Sequence, residues 1–212
     1  KGIADKLKQK NLTFALLQIF LSLLLPPGIL LIRLIRPILG INPGQILPFY
    51  ILVIFGLLIL IPLCSILSFM FVLSCRIYET KGKASGISRV YALEALGSML
   101  GGSIVSLILI RFFNSFEIMA MLSLLNAVVA FIFTETPQKW LWLSEAKPRP
   151  SGQKMVRFAA VLIMLLSAFL WLSGGWKKIE VFSFKKQWRG YEVLDARNSI
   201  YANLVTLKRG GQ

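Results

Sequence analysis

Glu94 is the side chain in this sequence best placed to carry chemistry, because it lies about one helical turn inside a long apolar run. A carboxylate within a bilayer is costly and often marks a proton or cation site, here with Arg89 or Arg111 as its partner. The alternative is a structural carboxylate near the membrane surface, paired with Arg89 or a loop lysine. Asn126 lies in another apolar run, where its amide predicts a hydrogen bond to a neighbouring helix.

The rest of the sequence holds no recognisable catalytic constellation. There are no histidines, which removes the commonest general base and metal ligand. The nine acidic residues are scattered, and Glu192 and Asp195 are best explained as solvated surface groups. Glycine-rich phosphate loops and serine–histidine–aspartate sets are absent from the sequence. We therefore predict no catalytic, cofactor-binding or metal-binding residue within these 212 residues.

Five long apolar runs must position these polar groups. Hydrophobic residues make up 56% of the sequence, more than a soluble domain can bury within itself. About 20 apolar residues in a helix cross a bilayer core of about 30 Å, and each run approaches that length. The sequence thus predicts an all-α polytopic transmembrane bundle at 12–175, with spans near 12–35, 47–73, 90–110, 117–134 and 157–175.

The last 37 residues, 176–212, change character. Polar and apolar residues alternate in 179–184 and again in 201–207, which predicts two strands in a soluble β-containing region at 176–212. The chain begins with Lys1 and stops at a turn signal, Gly210-Gly211-Gln212. We therefore expect it to be an internal portion of a longer protein that is cut within a domain.

The charges predict an orientation. The sequence carries 24 Lys and Arg against nine acids, a net charge of +15. The basic connections at 1–11, 74–89 and 135–157 all fall on one side, which the positive-inside rule assigns to the cytoplasm. The segment 1–11 is then a cytoplasmic loop, and the tail is periplasmic or extracellular in a prokaryotic inner or plasma membrane. Anionic lipids are the expected partner of this charge, in preference to nucleic acid.

The third apolar run carries a stripe of small residues. Gly97 and Gly101 form a GxxxG pair, and Ser98, Gly102 and Ser106 continue the four-residue spacing. Such a stripe lets another helix approach closely. The neighbour is either a helix of the same bundle or, alternatively, a second copy of the chain or another subunit of a larger membrane complex.

Four stretches along the chain resemble motifs of one family. They are Gly2-Ile3-Ala4-Asp5-Lys6, the segment from Ser88 to Gly97 (SRVYALEALG), Leu125-Asn126-Ala127, and the segment from Ser199 to Thr206 (SIYANLVT). In order and spacing they resemble the fused transporter-like, or major-facilitator-like, membrane spermidine synthase family. The third and fourth stretches match its A-L-N element and its S-x-Y-x-x-x-x-V strand, and Ser88 replaces the glycine that opens the family's G-R-x-Y-A motif.

The resemblance implies a membrane region followed by a spermidine-synthase-like domain. The implied activity is aminopropyl transfer from a decarboxylated S-adenosylmethionine-type donor to an amine, with catalytic residues beyond Gln212. Tyr201 would line the substrate pocket, or equally serve as a core aromatic of its strand. Ala202 stands where a substrate-binding glutamine usually follows that tyrosine, so a non-catalytic domain is the alternative to an active one. Two alternatives remain open, namely a transporter for polyamines or small metabolites and a structural subunit that scaffolds a larger membrane complex.

Overall fold

The computed structural model describes residues 10–41, 45–78, 85–135, 151–198 and 203–209. Long helices dominate these ranges, and a pair of strands follows them. The third helix continues through a π-helical turn at Val105–Leu109 and a last turn at Ile110–Phe112. The elements are α1 (Lys10–Ile38), α2 (Phe49–Tyr78), α3 (Ser85–Ile104), α4 (Ser115–Glu135), α5 (Ser151–Leu172), α6 (Gly175–Gln187), β1 (Tyr191–Asn198) and β2 (Asn203–Arg209).

Five of the helical segments are long and apolar enough to cross a membrane. They are Lys10–Ile38, Phe49–Tyr78, Gly86–Phe112, Ser115–Thr134 and Gly152–Leu172. A helix rises about 1.5 Å per residue, so even the shortest of them covers a bilayer core. The predicted transmembrane bundle is therefore confirmed, and the chain is an integral membrane protein.

Helix α1 lies at the centre of the bundle and packs against α2, α4, α5 and α6. Its closest neighbours approach through small side chains. Ala15 of α1, Ala130 of α4 and Ala160 of α5 are fully buried in one cluster, together with Ile19 and Val156. Small residues let helix backbones approach closely, and dispersion contacts then hold spans together where lipid offers no hydrophobic driving force.

A pair of serines joins α1 to α4 in the middle of the bundle. The Ser22 hydroxyl donates to the carbonyl of Ser123 at 2.7 Å, and the Ser123 hydroxyl donates to the carbonyl of Ser22 at 2.9 Å. Both side chains are buried. The two hydrogen bonds satisfy four polar groups inside the apolar bundle and fix the axial register of α1 against α4.

Substitution of Ser22 tests this register contact. Ser22→Ala should lower the free energy of unfolding by about 0.6 to 1.7 kcal/mol, because it removes one donor of an interhelical pair. Thermal unfolding of the purified protein in a mild detergent measures the loss. Ser103→Ala is the matched control, since that hydroxyl is exposed and donates to the carbonyl of Met99 in its own helix. Equal losses for the two variants would contradict the interhelical role.

The predicted strand at 179–184 is wrong, because these residues lie in α6. The apolar residues that suggested an alternating strand lie on two different faces of this helix. One face of the helix is buried and carries Trp176, Glu180, Ser183 and Phe184. Glu180 is four residues from Trp176, three from Ser183 and four from Phe184, which are the spacings of one helical face. Val181 is exposed on the other face. Packing of this face against the bundle selects the helix over the extended form.

Strands β1 and β2 form an antiparallel hairpin, with Tyr191 opposite Arg209 and Asn198 opposite Asn203. The register shifts between Val193 and Asp195, so β1 carries one extra residue there. The second predicted strand, 201–207, overlaps β2, which pairs with β1, and its residues 201 and 202 lie outside the described residues.

Candidate functional site

A tight turn after the last span directs α6 back against the bundle. Gly174 adopts a left-handed conformation with φ of 63°, which a residue with a Cβ atom adopts at a cost. The next residue, Gly175, is so close to Leu170 that a Cβ atom would meet the Leu170 Cδ2 at 2.7 Å and its carbonyl oxygen at 3.2 Å. The two glycines therefore allow α6 to begin directly after α5, at the end of the bundle where α1 ends and α4 starts.

A buried ion pair joins α6 to α1 at this end. Arg33 Nη2 donates to Glu180 Oε1 at 3.1 Å, and Arg33 Nη1 donates to Ser183 Oγ at 2.9 Å. The side chains of Arg33 and Glu180 are each 7% exposed. Ser183 in turn donates to the carbonyl of Glu180 at 2.7 Å. The guanidinium group thus bridges two consecutive turns of the same face of α6.

Two aromatic rings enclose the guanidinium group. Arg33 Cζ lies 5.0 Å from the ring centroid of Phe116 in α4 and 4.4 Å from that of Phe184 in α6. A guanidinium over a ring face is attracted by the ring's negative charge density, most strongly where water is excluded. The cluster of Arg33, Glu180, Ser183, Phe116 and Phe184, hereafter the Arg33 cluster, therefore connects α1, α4 and α6.

Burial raises the pKa of Glu180 above its usual value of 4.5. The hydrogen bond and the positive charge of Arg33 act in the opposite direction, and the nearby negative charge of Glu117 adds to the increase. The second carboxylate oxygen, Oε2, is buried without a hydrogen-bond partner among the described residues. The free-energy cost of removing the carboxylate from water therefore exceeds the stabilisation that the charge and hydrogen bond of Arg33 supply.

This raised pKa predicts a pH dependence of stability. The folded state holds the proton of Glu180 more tightly than the unfolded state, so the contribution of Glu180 to stability is fully present below pH 4.5 and is lost as the pH rises through the folded pKa. Melting temperatures from pH 4.5 to about 7.5 measure the slope. Glu180→Gln should flatten it. A Glu180→Gln profile that keeps the slope of the unmodified protein would assign the effect to another carboxylate.

The residues predicted as an intramembrane polar site are not brought together. Glu94 and Arg89 both lie exposed on α3, and neither Arg89 nor Arg111 is within ion-pair distance of Glu94 in the described structure. Asn126 lies half-buried on α4, and no hydrogen bond joins its side-chain amide to another described residue. The hydrogen bonds that the sequence suggested for Asn126 are made one turn earlier, by Ser123.

The stripe of small residues on α3 has no neighbour within the described chain. Added Cβ atoms at Gly97, Gly101 and Gly102 would meet nothing within 4 Å, and Ser98 is exposed. Ser106 lies in the π-helical turn, which ends the regular four-residue spacing. The expected packing of this stripe on a helix of the same bundle is thus not seen in residues 10–41, 45–78, 85–135 or 151–198. Tyr201 lies outside the described residues.

Sequence reasoning missed the Arg33 cluster. A basic residue near the end of a span ordinarily extends its charge to the membrane surface, whereas the side chain of Arg33 is 7% exposed. Glu180 was not singled out, because a strand assignment for 179–184 places Glu180 and Ser183 on opposite faces, whereas the helix places both on its buried face. The helical spacing of Trp176, Glu180 and Phe184 was the available signal.

The geometry of the Arg33 cluster suits attachment better than catalysis. Its donors are directed at groups of the same chain, and the surrounding side chains fill the space around the guanidinium group. In the described residues, no group of three or more cysteine, aspartate or glutamate side chains is placed to hold a metal ion. The cluster fixes α6, and through it the start of β1, to the end of the bundle.

Comparison of the chain with protein-family models, with curated proteins and with solved structures finds no match.

Proposed function

We propose that this chain is the membrane-integral part of a spermidine-synthase-like protein, and that its bundle anchors a strand-containing segment at the membrane surface. The anchoring role is supported by the Arg33–Glu180 contact, which attaches α6 to α1. The enzyme class rests on the sequence resemblance of Ser199 to Thr206 and of Ser88 to Gly97. The antiparallel hairpin at 191–209 is compatible with a strand that opens such a domain.

The proposed orientation places the basic connections 1–11, 74–89 and 135–157 in the cytoplasm of a prokaryotic inner or plasma membrane. Helix α6 packs on the end of α1 that is remote from residue 10. This contact supports the proposal that the hairpin and the segment 1–11 lie on opposite sides of the membrane. The hairpin is then extracytoplasmic. Since aminopropyl donors are cytosolic, the domain would be a non-catalytic relative in that orientation, and a reporter fused after Gln212 distinguishes the two sides.

An activity assay tests the enzyme class. The native protein is purified from its membrane, its peptides are mapped by mass spectrometry through residues 203–209 and beyond, and transfer of an aminopropyl group from decarboxylated S-adenosylmethionine to a diamine is measured. Transfer that is abolished by a competing donor analogue supports the enzyme. Absence of transfer by a folded, fully mapped protein rejects the catalytic form and leaves the anchoring role, which stability measurements on Arg33 test separately.

One observation favours a second function, the scaffolding of a larger membrane complex. In the spans Phe49–Tyr78 and Gly86–Phe112, no residue of the most apolar 18-residue stretch is buried against the rest of the described chain. The stripe at Gly97 and Gly101 is open to a helix of another subunit or of a second copy. Co-purification of a stoichiometric partner that is lost in Gly97→Leu would support this function, and an unchanged monomer in both proteins would reject it.

A further inference from the structure

We infer that the cavity between α6 and β1 binds the phosphate headgroup of an anionic phospholipid. The cavity measures about 590 Å³ and lies where the chain leaves α6 and turns into the hairpin. Basic residues Lys185 and Arg189 form part of its wall, and Trp188 lies between them in the sequence. This site adjoins the Arg33 cluster, with which it shares Phe184, and it is independent of the proposed enzyme class.

The charge at the cavity is positive and unneutralised by the described chain. Lys185 and Arg189 are exposed, and neither forms an ion pair with a described acidic residue. A third cation, Arg36, lies with its Cζ 6.0 Å from the ring centroid of Trp188. Glu192 is the acidic residue in the wall. Two basic side chains in the wall and a third beside Trp188, against a single carboxylate in the wall, favour a ligand with negative charge.

Trp188 adds a hydrogen-bond donor that lacks an acceptor. Its ring lines the cavity, and its indole Nε1 is buried with no partner among the described residues. A buried donor without an acceptor destabilises this arrangement of the ring, because the N–H loses its hydrogen bond to water. Phosphate oxygens are strong acceptors, and an oxygen bound beside Lys185 and Arg189 would satisfy the indole once the ring turns its N–H toward the cavity.

The position and the apolar part of the wall select a lipid over free phosphate. Arg36 lies in the last turn of a span, Lys10–Ile38, so the cavity is at the depth where that span leaves the bilayer. Val181, Phe184 and Val193 supply apolar wall beside the cationic groups. On α6, Val181 and Phe182 are exposed next to Lys185, as in helices that lie in the membrane interface. The phosphate headgroup of a lipid would thus lie against the basic side chains, and the upper part of its acyl chain against the apolar wall.

Lipid binding to the purified protein tests the inference. Phosphatidylglycerol and phosphatidylcholine are titrated separately into delipidated protein in a neutral detergent, and the bound lipids are counted by native mass spectrometry. One phosphatidylglycerol should bind well before any phosphatidylcholine. Lys185→Gln combined with Arg189→Gln should weaken that binding about 30-fold, because each basic residue contributes a factor of about five.

Matched variants separate the cavity from general charge. Lys177→Gln combined with Lys178→Gln removes two exposed lysines from the same helix and should weaken binding by no more than about threefold, since in a micelle only direct contacts act at this strength. Trp188→Phe keeps the ring, removes the N–H and should weaken binding about tenfold. Circular dichroism confirms that each variant keeps its helices.

Three results would overturn the inference. Equal binding of the two lipids removes the preference for negative charge. Equal losses in the 185/189 and 177/178 double variants reduce the effect to net charge. Competition by soluble glycerol phosphate as effective as that by phosphatidylglycerol would assign the cavity to a free phosphate compound rather than to a membrane lipid.

Discussion

Replacing Arg33 by Met should lower the free energy of unfolding by about 3 kcal/mol or more at neutral pH, the largest loss we expect from any single substitution in this chain. The variant leaves the Glu180 carboxylate buried without its counter-charge. Glu180 must then either remain ionised without a partner or take up a proton, and both states cost free energy. Thermal unfolding in detergent, repeated across pH, measures the loss, which should increase as the pH rises.

Two further variants test whether the pair, rather than one charge, is responsible. Arg111→Met removes an exposed arginine at the same end of the bundle and should change stability by less than about 0.5 kcal/mol. Arg33→Met combined with Glu180→Met removes both charges and should recover most of the loss, because well-packed apolar groups can replace a buried ion pair. A double variant as unstable as Arg33→Met would show that the two residues do not act together.

Replacing Ala130 by Leu should lower stability by about 1 to 3 kcal/mol, because the site where three spans meet has no room for three more carbon atoms. Ala130 is fully buried against Ala15, Ile19 and Ala160. Forcing the helices apart would also weaken the Ser22–Ser123 hydrogen bonds nearby on the same two helices. The melting temperature and the helix content before unfolding measure the effect.

Ala95→Leu provides the control for Ala130→Leu. Ala95 lies exposed on α3, so the same added volume should be accommodated with a change of less than about 0.5 kcal/mol. If Ala95→Leu destabilises the purified protein as much as Ala130→Leu, the packing arrangement of α1, α4 and α5 described above is wrong. If Ala95→Leu instead changes the oligomeric state alone, the α3 face contacts another chain.

The spans could be predicted from the sequence because a bilayer imposes one dominant requirement, an apolar helix of sufficient length. Each of the five predicted runs overlaps an observed helix, although the run at 47–73 begins two residues before Phe49 and the run at 157–175 extends beyond Leu172. Strand β2 at Asn203–Arg209 overlaps the strand predicted at 201–207. These elements are specified by local composition. Their residues would form the same structure with many different neighbours.

Helix α6 could not be assigned from local pattern, because a short segment with apolar residues at 179, 181, 182 and 184 satisfies both a strand and a helix. The choice depends on packing against Phe116 and Arg33, which are distant in sequence. The same holds for Arg33, whose charge has two solutions in a span: extension to the membrane surface or a buried partner. The partner, Glu180, becomes visible only when α6 turns back at Gly174.

Amide hydrogen exchange over residues 176–187 of the protein in lipid nanodiscs tests the central claim most directly. The account predicts that the amides of α6 are protected to nearly the same degree as those of α1, and that Arg33→Met removes this protection while α1 and α4 stay protected. If α6 exchanges rapidly in the unmodified protein, or remains equally protected in Arg33→Met, the Arg33 cluster does not hold α6 to the bundle and the proposed anchoring function is contradicted.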